Sequence, residues 1–192
     1  MSDLNEAIKI FNQGGIVIFP TDTAFGIGCR IDNERAIKKL FEIRKRPLTQ
    51  AVPVLVDSVL MAKIYVKEIP EDVLNKLIKP YWPGALTIVL SCREDKVFSL
   101  VRGGGVGLGI REPNFPPLLE IIRSVGVPIL GPSANFHGDK TPYKIKDLNP
   151  ELVSLADYVL KGECLGNLAS TVIDCTKKPW SVLRKGTLDI KI

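Results

Sequence analysis

Leu4, Ala7, Ile8 and Phe11 recur at i, i+3, i+4 and i+7, the apolar stripe of an amphipathic helix. Ser2 or Asp3 is placed to cap its start, and Gly14 to end it. The period then changes. Ile16-Val17-Ile18-Phe19 is a short unbroken apolar run and reads as a buried strand. It opens into Pro20-Thr21-Asp22-Thr23-Ala24-Phe25-Gly26-Ile27-Gly28, which reads as a loop of hydroxyls and glycines. A second helix, capped by Asp32 or Asn33, turns Ala36, Ile37, Leu40 and Phe41 inward and ends in the cations Arg44-Lys45-Arg46 before Pro47.

Residues 52–56 read as a strand in which Pro53 marks an edge or a strand start. Helical patterns follow at 58–65 and 71–79, a turn at Tyr81-Trp82-Pro83-Gly84 and a strand over 85–90. Trp82 beside Pro-Gly reads as packing, and residues 93–102 as an exposed polar loop. From Gly103 to Arg111, Val106, Leu108 and Ile110 alternate with Gly107, Gly109 and Arg111: a strand with one apolar face, one nearly bare face and an arginine at its end. Bare glycines in a strand mark close approach of a ligand or of another backbone. Phe115, Leu118, Leu119 and Ile122 mark a further helix, and 127–130 a strand opening into Gly131-Pro132-Ser133-Ala134-Asn135. Residues 138–149 are polar and read as a mobile flap, and two last strands cover 170–174 and 182–186. Strands outnumber simple βαβ units, which predicts one domain over 1–192 with a mixed twisted sheet and helices.

Composition narrows the function classes. A net charge of +5, from 26 Lys+Arg against 21 Asp+Glu, favours anions without the density of a dedicated nucleic-acid binder. No apolar run spans a bilayer, and the start lacks the pattern of a secretion signal, so the expected compartment is the cytoplasm. Cys29, Cys92, Cys164 and Cys175 are far apart and never form C-x-x-C, which points to reduced, mostly buried thiols. His137, the only histidine, reads as a loop residue and leaves little material for a metal site or a histidine triad.

What remains is anion chemistry. Several predicted strand ends deliver hydroxyls (Thr21, Thr23, Ser133, Ser170, Thr171), and others guanidinium groups (Arg44, Arg46, Arg111, Arg184). Pro47 forces the chain out of its helix, so Arg46 falls on a bend where a guanidinium can be aimed at phosphate oxygens. No nucleophile stands beside a base, which favours positioning and electrostatic stabilisation over covalent catalysis. Neither G-x-x-x-x-G-K-[ST] nor a Rossmann context is present. From composition and spacing alone, the chain is a candidate binder of a phosphate or carboxylate ligand.

The landmarks in order are the segment from Pro20 to Gly28, Arg44-Lys45-Arg46-Pro47, Trp82-Pro83-Gly84 with Leu86-Thr87, Gly109-Ile110-Arg111-Glu112-Pro113, Pro132-Ser133-Ala134-Asn135, Ser170-Thr171-Val172-Ile173-Asp174 and Leu183-Arg184-Lys185-Gly186. Together they resemble the YrdC-like family of threonylcarbamoyl-adenylate synthases, from about residue 3 to residue 187. The resemblance implies an α/β fold of the α+β type, a YrdC/RibB-like twisted mixed sheet with flanking helices around a basic concave cavity. It implies a nucleotidyltransferase that makes L-threonylcarbamoyl-AMP and pyrophosphate from L-threonine, bicarbonate or carbon dioxide, and ATP with Mg2+. A separate transferase complex would use the product to form threonylcarbamoyladenosine at tRNA position 37.

Carried over by motif, Arg44 and Arg46 hold the ATP phosphates and are the catalytic pair. Ser133, Asn135, Thr141 and Arg184 lie at the nucleotide; Thr23, Arg111 and Ser170 surround threonine, with Arg111 on its carboxylate and no protein metal ligand assigned. Two departures stand out: the family usually has lysine where this chain has Arg44, and the chain ends before the extra C-terminal domain that some members carry. The alternative readings are a module that binds double-stranded RNA or tRNA without turnover, and a carbamoyl-transfer domain like those of the much larger hydrogenase-maturation proteins.

Overall fold

Helix α1 (Asp3–Asn12) buries Ala7 and Phe11, as its stripe predicts, and the chain leaves it through Gly14 at φ 80°. Asp3 lies inside the helix, and Ser2, the other candidate cap, lies outside the described residues. The structure is a computed structural model that describes residues 3–191. Strand β1 (Val17–Phe19) is wholly buried, and β2 (Gly26–Gly28) pairs with it antiparallel. The end of the expected loop 20–28 is thus a strand. Three residues, two of them glycine, carry too little side-chain pattern to announce one.

Helix α2 (Glu34–Ile43) begins at Asn33, whose side chain accepts from the Ala36 amide; Asp32 pairs with Arg30 instead. Its apolar face is buried as predicted, but the helix ends at Ile43, so the three cations lie just beyond it. Lys45 takes a left-handed φ of 52°, its amide bonds to Glu42 O, and the Arg46 amide bonds to Phe41 O. Those two bonds are a Schellman turn with lysine at the position usually held by glycine. The reversal buries Arg44 and swings Lys45 outward, its Nζ 4.3 Å from the centre of the Phe136 ring.

After β3 (Val54–Leu55) come α3 (Val59–Tyr65), α4 (Glu71–Val73), a π-helical turn (Leu74–Ile78) and α5 (Lys79–Tyr81). Strands β4 (Leu86–Ser91) and β5 (Gly107–Arg111) precede α6 (Pro116–Val125) and β6 (Ile129–Leu130). Helix α7 (Pro150–Leu155), β7 (Tyr158–Val159), β8 (Thr171–Asp174) and β9 (Ser181–Arg184) complete the order. Two mixed sheets result. One has the order β2-β1-β7 and the other β6-β3-β5-β4-β8-β9.

Strand β3 is interior, between β6 and β5, so Pro53 marks a strand start and not an edge. The predicted loop 93–102 anchors to the core through buried Val97 and Val101. The expected flap 138–149 is wound into a 3-10 turn at Ile145–Asp147 and tied at Pro142, whose carbonyl accepts from the Phe25 amide. Residues 25–31 run antiparallel beside 128–134 through bridges Gly26–Ser133 and Arg30–Ile129, which joins the two sheets. The main core lies on the face of the larger sheet covered by α2; a second cluster packs α1 on α6. Trp82 packs as expected, with its Nε1 donating to Leu86 O at 2.8 Å. The cysteines are free thiols; Cys29, Cys92 and Cys175 are buried and Cys164 half-buried.

Candidate functional site

The seam between the two sheets holds a hollow. Thr21, Thr23 and Gly26 reach it from the β1–β2 connection, Arg44 and Arg46 from the turn after α2, and Thr87 from β4. Arg111 comes from the end of β5, Ser133 from the loop after β6, Ser170 from just before β8 and Arg184 from the end of β9; Thr141 closes the rim. Every sequence-predicted site residue except Asn135 and Thr171 lines this one hollow; the Thr171 hydroxyl donates to Leu188 O instead. Its volume is about 130 Å3, below the roughly 300–1,000 Å3 that engulfs a drug-sized ligand. A ligand the size of a nucleotide would keep part of itself in the open mouth.

At one end Arg111 is nearly saturated. Its Nε donates to Gly84 O at 2.9 Å, its Nη1 to Thr23 Oγ1 at 2.8 Å, and its Nη2 to Asp22 Oδ1. Thr23 Oγ1 lies 3.0 Å from Thr21 Oγ1, so two hydroxyls and a guanidinium form one network. Burial lowers the Arg111 pKa, and the Asp22 charge works against that by favouring the cation. A second network begins at Thr87 Oγ1, 2.8 Å from Ser170 Oγ. Arg184 donates from Nη2 to that Ser170 hydroxyl and from Nε to the Ser170 carbonyl, both at 2.9 Å. Burial, then the positive charge of Arg111, lowers the Arg184 pKa.

Across the hollow, Arg44 is 2% exposed; its Nε donates to Asn135 O at 3.1 Å and its Nη1 has no partner. Burial and the neighbouring Arg46 push its pKa down to about 10, which still leaves it a cation at neutral pH. Arg46 is held by the Gln50 and Ala51 carbonyls. Asn135 stands behind the hollow, its Nδ2 donating to Phe136 O and Asp139 O, its carbonyl accepting from Arg44 and its amide donating to Ser133 O. The bare glycine face of β5 meets the chain itself. A Cβ at Gly107 would lie 2.8 Å from Val89 Cγ1, and one at Gly109 3.4 Å from Thr87 Cγ2.

Besides Thr21, two residues of the networks carry no role in the motif reading. Asp22 sits in the first landmark, but its purpose appears only when Arg111, 89 residues later, comes alongside. Thr87 sits in the third and acquires its partner only through the pairing of β4 with β8. Among the described residues, no group of three or more His, Cys, Asp and Glu is placed to hold a metal ion. The hollow's lining supplies hydroxyls and cations but no carboxylate, so it does not fit a magnesium ion held by protein ligands.

A profile of the Sua5/YciO/YrdC family, described as telomere recombination, matches residues 9–186. The chain belongs to the Sua5/YciO/YrdC family. Within that family it is 32% identical over 182 residues to the threonylcarbamoyl-AMP synthase of Bacillus subtilis, covering 94% of this chain and 52% of the relative. It is 27% identical over 192 residues to the uncharacterized protein YciO of Escherichia coli, covering 98% of this chain and 91% of YciO. The structure of Pyrococcus abyssi Sua5 complexed with L-threonine superposes with a TM-score of 0.89 at 31% identity, over 98% of this chain and 56% of that one. The chain thus spans about half the length of the Bacillus and Pyrococcus relatives. The mixed-sheet fold expected from the YrdC-like motifs is the fold of this family. Among the described residues, no helix is long and apolar enough to cross a membrane.

Proposed function

We propose that the chain makes L-threonylcarbamoyl-AMP from L-threonine, bicarbonate or carbon dioxide, and ATP, releasing pyrophosphate. The observation that carries this reading is the convergence of Arg44, Arg46, Arg111 and Arg184 with Thr23, Ser133 and Ser170 on one hollow. The synthase name of the Bacillus relative and the L-threonine in the Pyrococcus structure support it. In this reading Arg44 and Arg46 hold the nucleotide phosphates, while Ser133, Thr141 and Arg184 flank the nucleotide. Asn135 serves them by bracing Arg44 from behind. Thr23, Arg111 and Ser170 surround threonine, with its carboxylate on Arg111. ATP brings Mg2+ with it, coordinated by its own phosphates. The product passes to a transferase complex acting at tRNA position 37, and the work is done in the cytoplasm.

The chemistry explains the cations. The threonine amine adds to carbon dioxide and releases a proton, giving a carbamate. A carbamate oxygen then attacks the α-phosphorus as the bond to pyrophosphate breaks. Nucleophile and target are both anionic, and fixed guanidinium groups offset their repulsion without reorganising during the step. Incubation with ATP, bicarbonate, magnesium and L-threonine should release pyrophosphate only when threonine is present. No threonine-dependent release, together with tight binding of tRNA or double-stranded RNA, would replace this reading with that of an RNA-binding module. Arg46→Ala should cut turnover about 100-fold, the scale of losing one preorganised contact to developing charge. Its melting temperature should hold, because the Arg46 side chain bonds only to its own loop.

A further inference from the structure

Arg184 reaches the hollow from a strand that does little to hold it. Strand β9 lies at the edge of the larger sheet, and of its residues only Val182 is half-buried, the others being exposed. Its ladder with β8 is irregular at this end: Val172 faces Arg184 and Ile173 faces Val182, which leaves Leu183 with no opposite number. A bulge of this kind interrupts the pairing. Yet the Arg184 guanidinium is fixed, with Nε on the Ser170 carbonyl and Nη2 on the Ser170 hydroxyl, both at 2.9 Å. Its backbone needs a hold from outside the strand.

The turn after β9 supplies that hold. Thr171 is 2% exposed and sits in β8, opposite Leu86 of β4, in the interior of the larger sheet. Its Oγ1 accepts from the Gly186 amide at 3.1 Å and from the Leu188 amide at 3.0 Å, and donates to Leu188 O at 2.7 Å. A hydroxyl has one proton and two lone pairs, so this one is fully used. The Thr187 amide adds a bond to Ala169 O at 3.0 Å. The turn is pressed close, since a Cβ at Gly186 would lie 2.3 Å from that same Ala169 oxygen. Residues 169–171 therefore grip 184–188, and a single oxygen atom of Thr171 makes three of the bonds.

We propose that Thr171 is a positioning residue for Arg184: its hydroxyl fastens the turn after β9 onto β8 and so sets the guanidinium against Ser170 at the hollow. Thr171 does not line the hollow and acts only through Arg184, which stands two residues before Gly186. Without the hydroxyl, the Gly186 and Leu188 amides lose the one acceptor they have among the described residues. A strand end released in this way carries Arg184 with it, and a misplacement of about 1 Å is enough to spoil a contact to a ligand. This inference rests on the synthase reading for the nucleotide that Arg184 meets, but not for the coupling between the two residues.

The test is a double-mutant cycle read by calorimetric titration of the whole protein with a non-hydrolysable ATP analogue. Thr171→Val keeps the shape and the strand preference but removes the hydroxyl, and should weaken binding about tenfold, the scale of one hydrogen bond to a charged group. Thr171→Ser keeps the hydroxyl and should stay within about twofold of wild type. Arg184→Ala should weaken binding about tenfold or more. Added to Arg184→Ala, Thr171→Val should cost less than about twofold further, because its effect travels through a guanidinium that is no longer there. A merely structural lesion would cost as much in that background as in the wild type. Hydrogen exchange of the wild type is the second measurement. The Gly186 and Leu188 amides should exchange about 100-fold or more slower than in an unstructured chain, although they follow an exposed edge strand.

Fast exchange at both amides overturns the proposal even if Thr171→Val fails to fold. Wild-type affinity in a folded Thr171→Val or in Arg184→Ala also overturns it. So does a loss from Thr171→Val that recurs in full in the Arg184→Ala background, and each of these leaves the synthase reading standing. The expected coupling in a protein that releases no pyrophosphate with threonine supports the proposal and removes the synthase reading. A wild type that binds no analogue overturns both.

Discussion

Arg44 shows how a single side chain trades stability for function. It is a nearly wholly buried cation with one side-chain hydrogen bond and, among the described residues, a bare Nη1 and no salt-bridge partner. Burial and Arg46 lower its pKa to about 10, below its ordinary value. A base whose folded-state pKa is depressed opposes folding while charged. The penalty is full below about pH 10 and lifts only as the pH rises through that value. An uncharged chain of similar length should therefore relieve the fold at neutral pH. Arg44→Met is expected to raise the free energy of unfolding by about 1 kcal/mol, after discounting the lost bond to Asn135, and to lower pyrophosphate release about 100-fold. Urea melts and the turnover assay read the two effects separately, and a destabilised variant would mean that Arg44 holds the turn together. Sequence reasoning reached Arg44 and Arg46 through Pro47, a local signal. It passed over Asp22 because that acid's partner lies 89 residues away, and the residues between them say nothing about the meeting.

Among the elements, those with a full period were legible and those held by partners were not. Helices α1, α2 and α6 span ten residues each; α2 buries its whole predicted stripe, while α1 leaves Leu4 and Ile8 and α6 leaves Leu119 half-buried. Strands β2 and β7 have three and two residues and exist because neighbours supply the other half of each ladder; β7 pairs with β1 some 140 residues earlier. That pairing completes the smaller sheet. Gly28 belongs at this scale. The sequence places it in a loop of hydroxyls and glycines, yet its Cβ position lies 1.8 Å from the Leu130 carbonyl oxygen, where the smaller sheet leans on β6. The Leu130 amide is bonded to Cys29 O, so that backbone is not free to retreat. Gly28→Ala should cost about 3 kcal/mol of stability, the upper end of the range for an overpacked buried site, as measured by denaturant unfolding. A neutral substitution would show that the seam is looser than this contact implies.

The whole molecule places the ends of many elements around one hollow, and the charge it assembles there is uneven. Four guanidinium groups line the hollow, and the pairing of Arg111 with Asp22 just behind the lining leaves an excess of three positive charges, concentrated away from Arg111. That excess is larger than expected from the modest net charge of +5 spread over 192 residues, and it arises only on folding, because its members are separated along the chain by as many as 140 residues. A site divided in this way should answer to competing anions at one end only. Raising sulfate from about 10 mM to about 100 mM should lift the apparent KM for ATP about fivefold or more, since sulfate competes for the unpaired arginines and screens them. The KM for threonine should stay within about twofold, because a zwitterion facing an ion pair brings no net charge for the salt to screen. Initial-rate measurements with each substrate varied in turn give both constants. Parallel increases would mean that the two substrates share one undivided field, and the charge partition between the Arg111 end and the rest of the hollow would have to be abandoned.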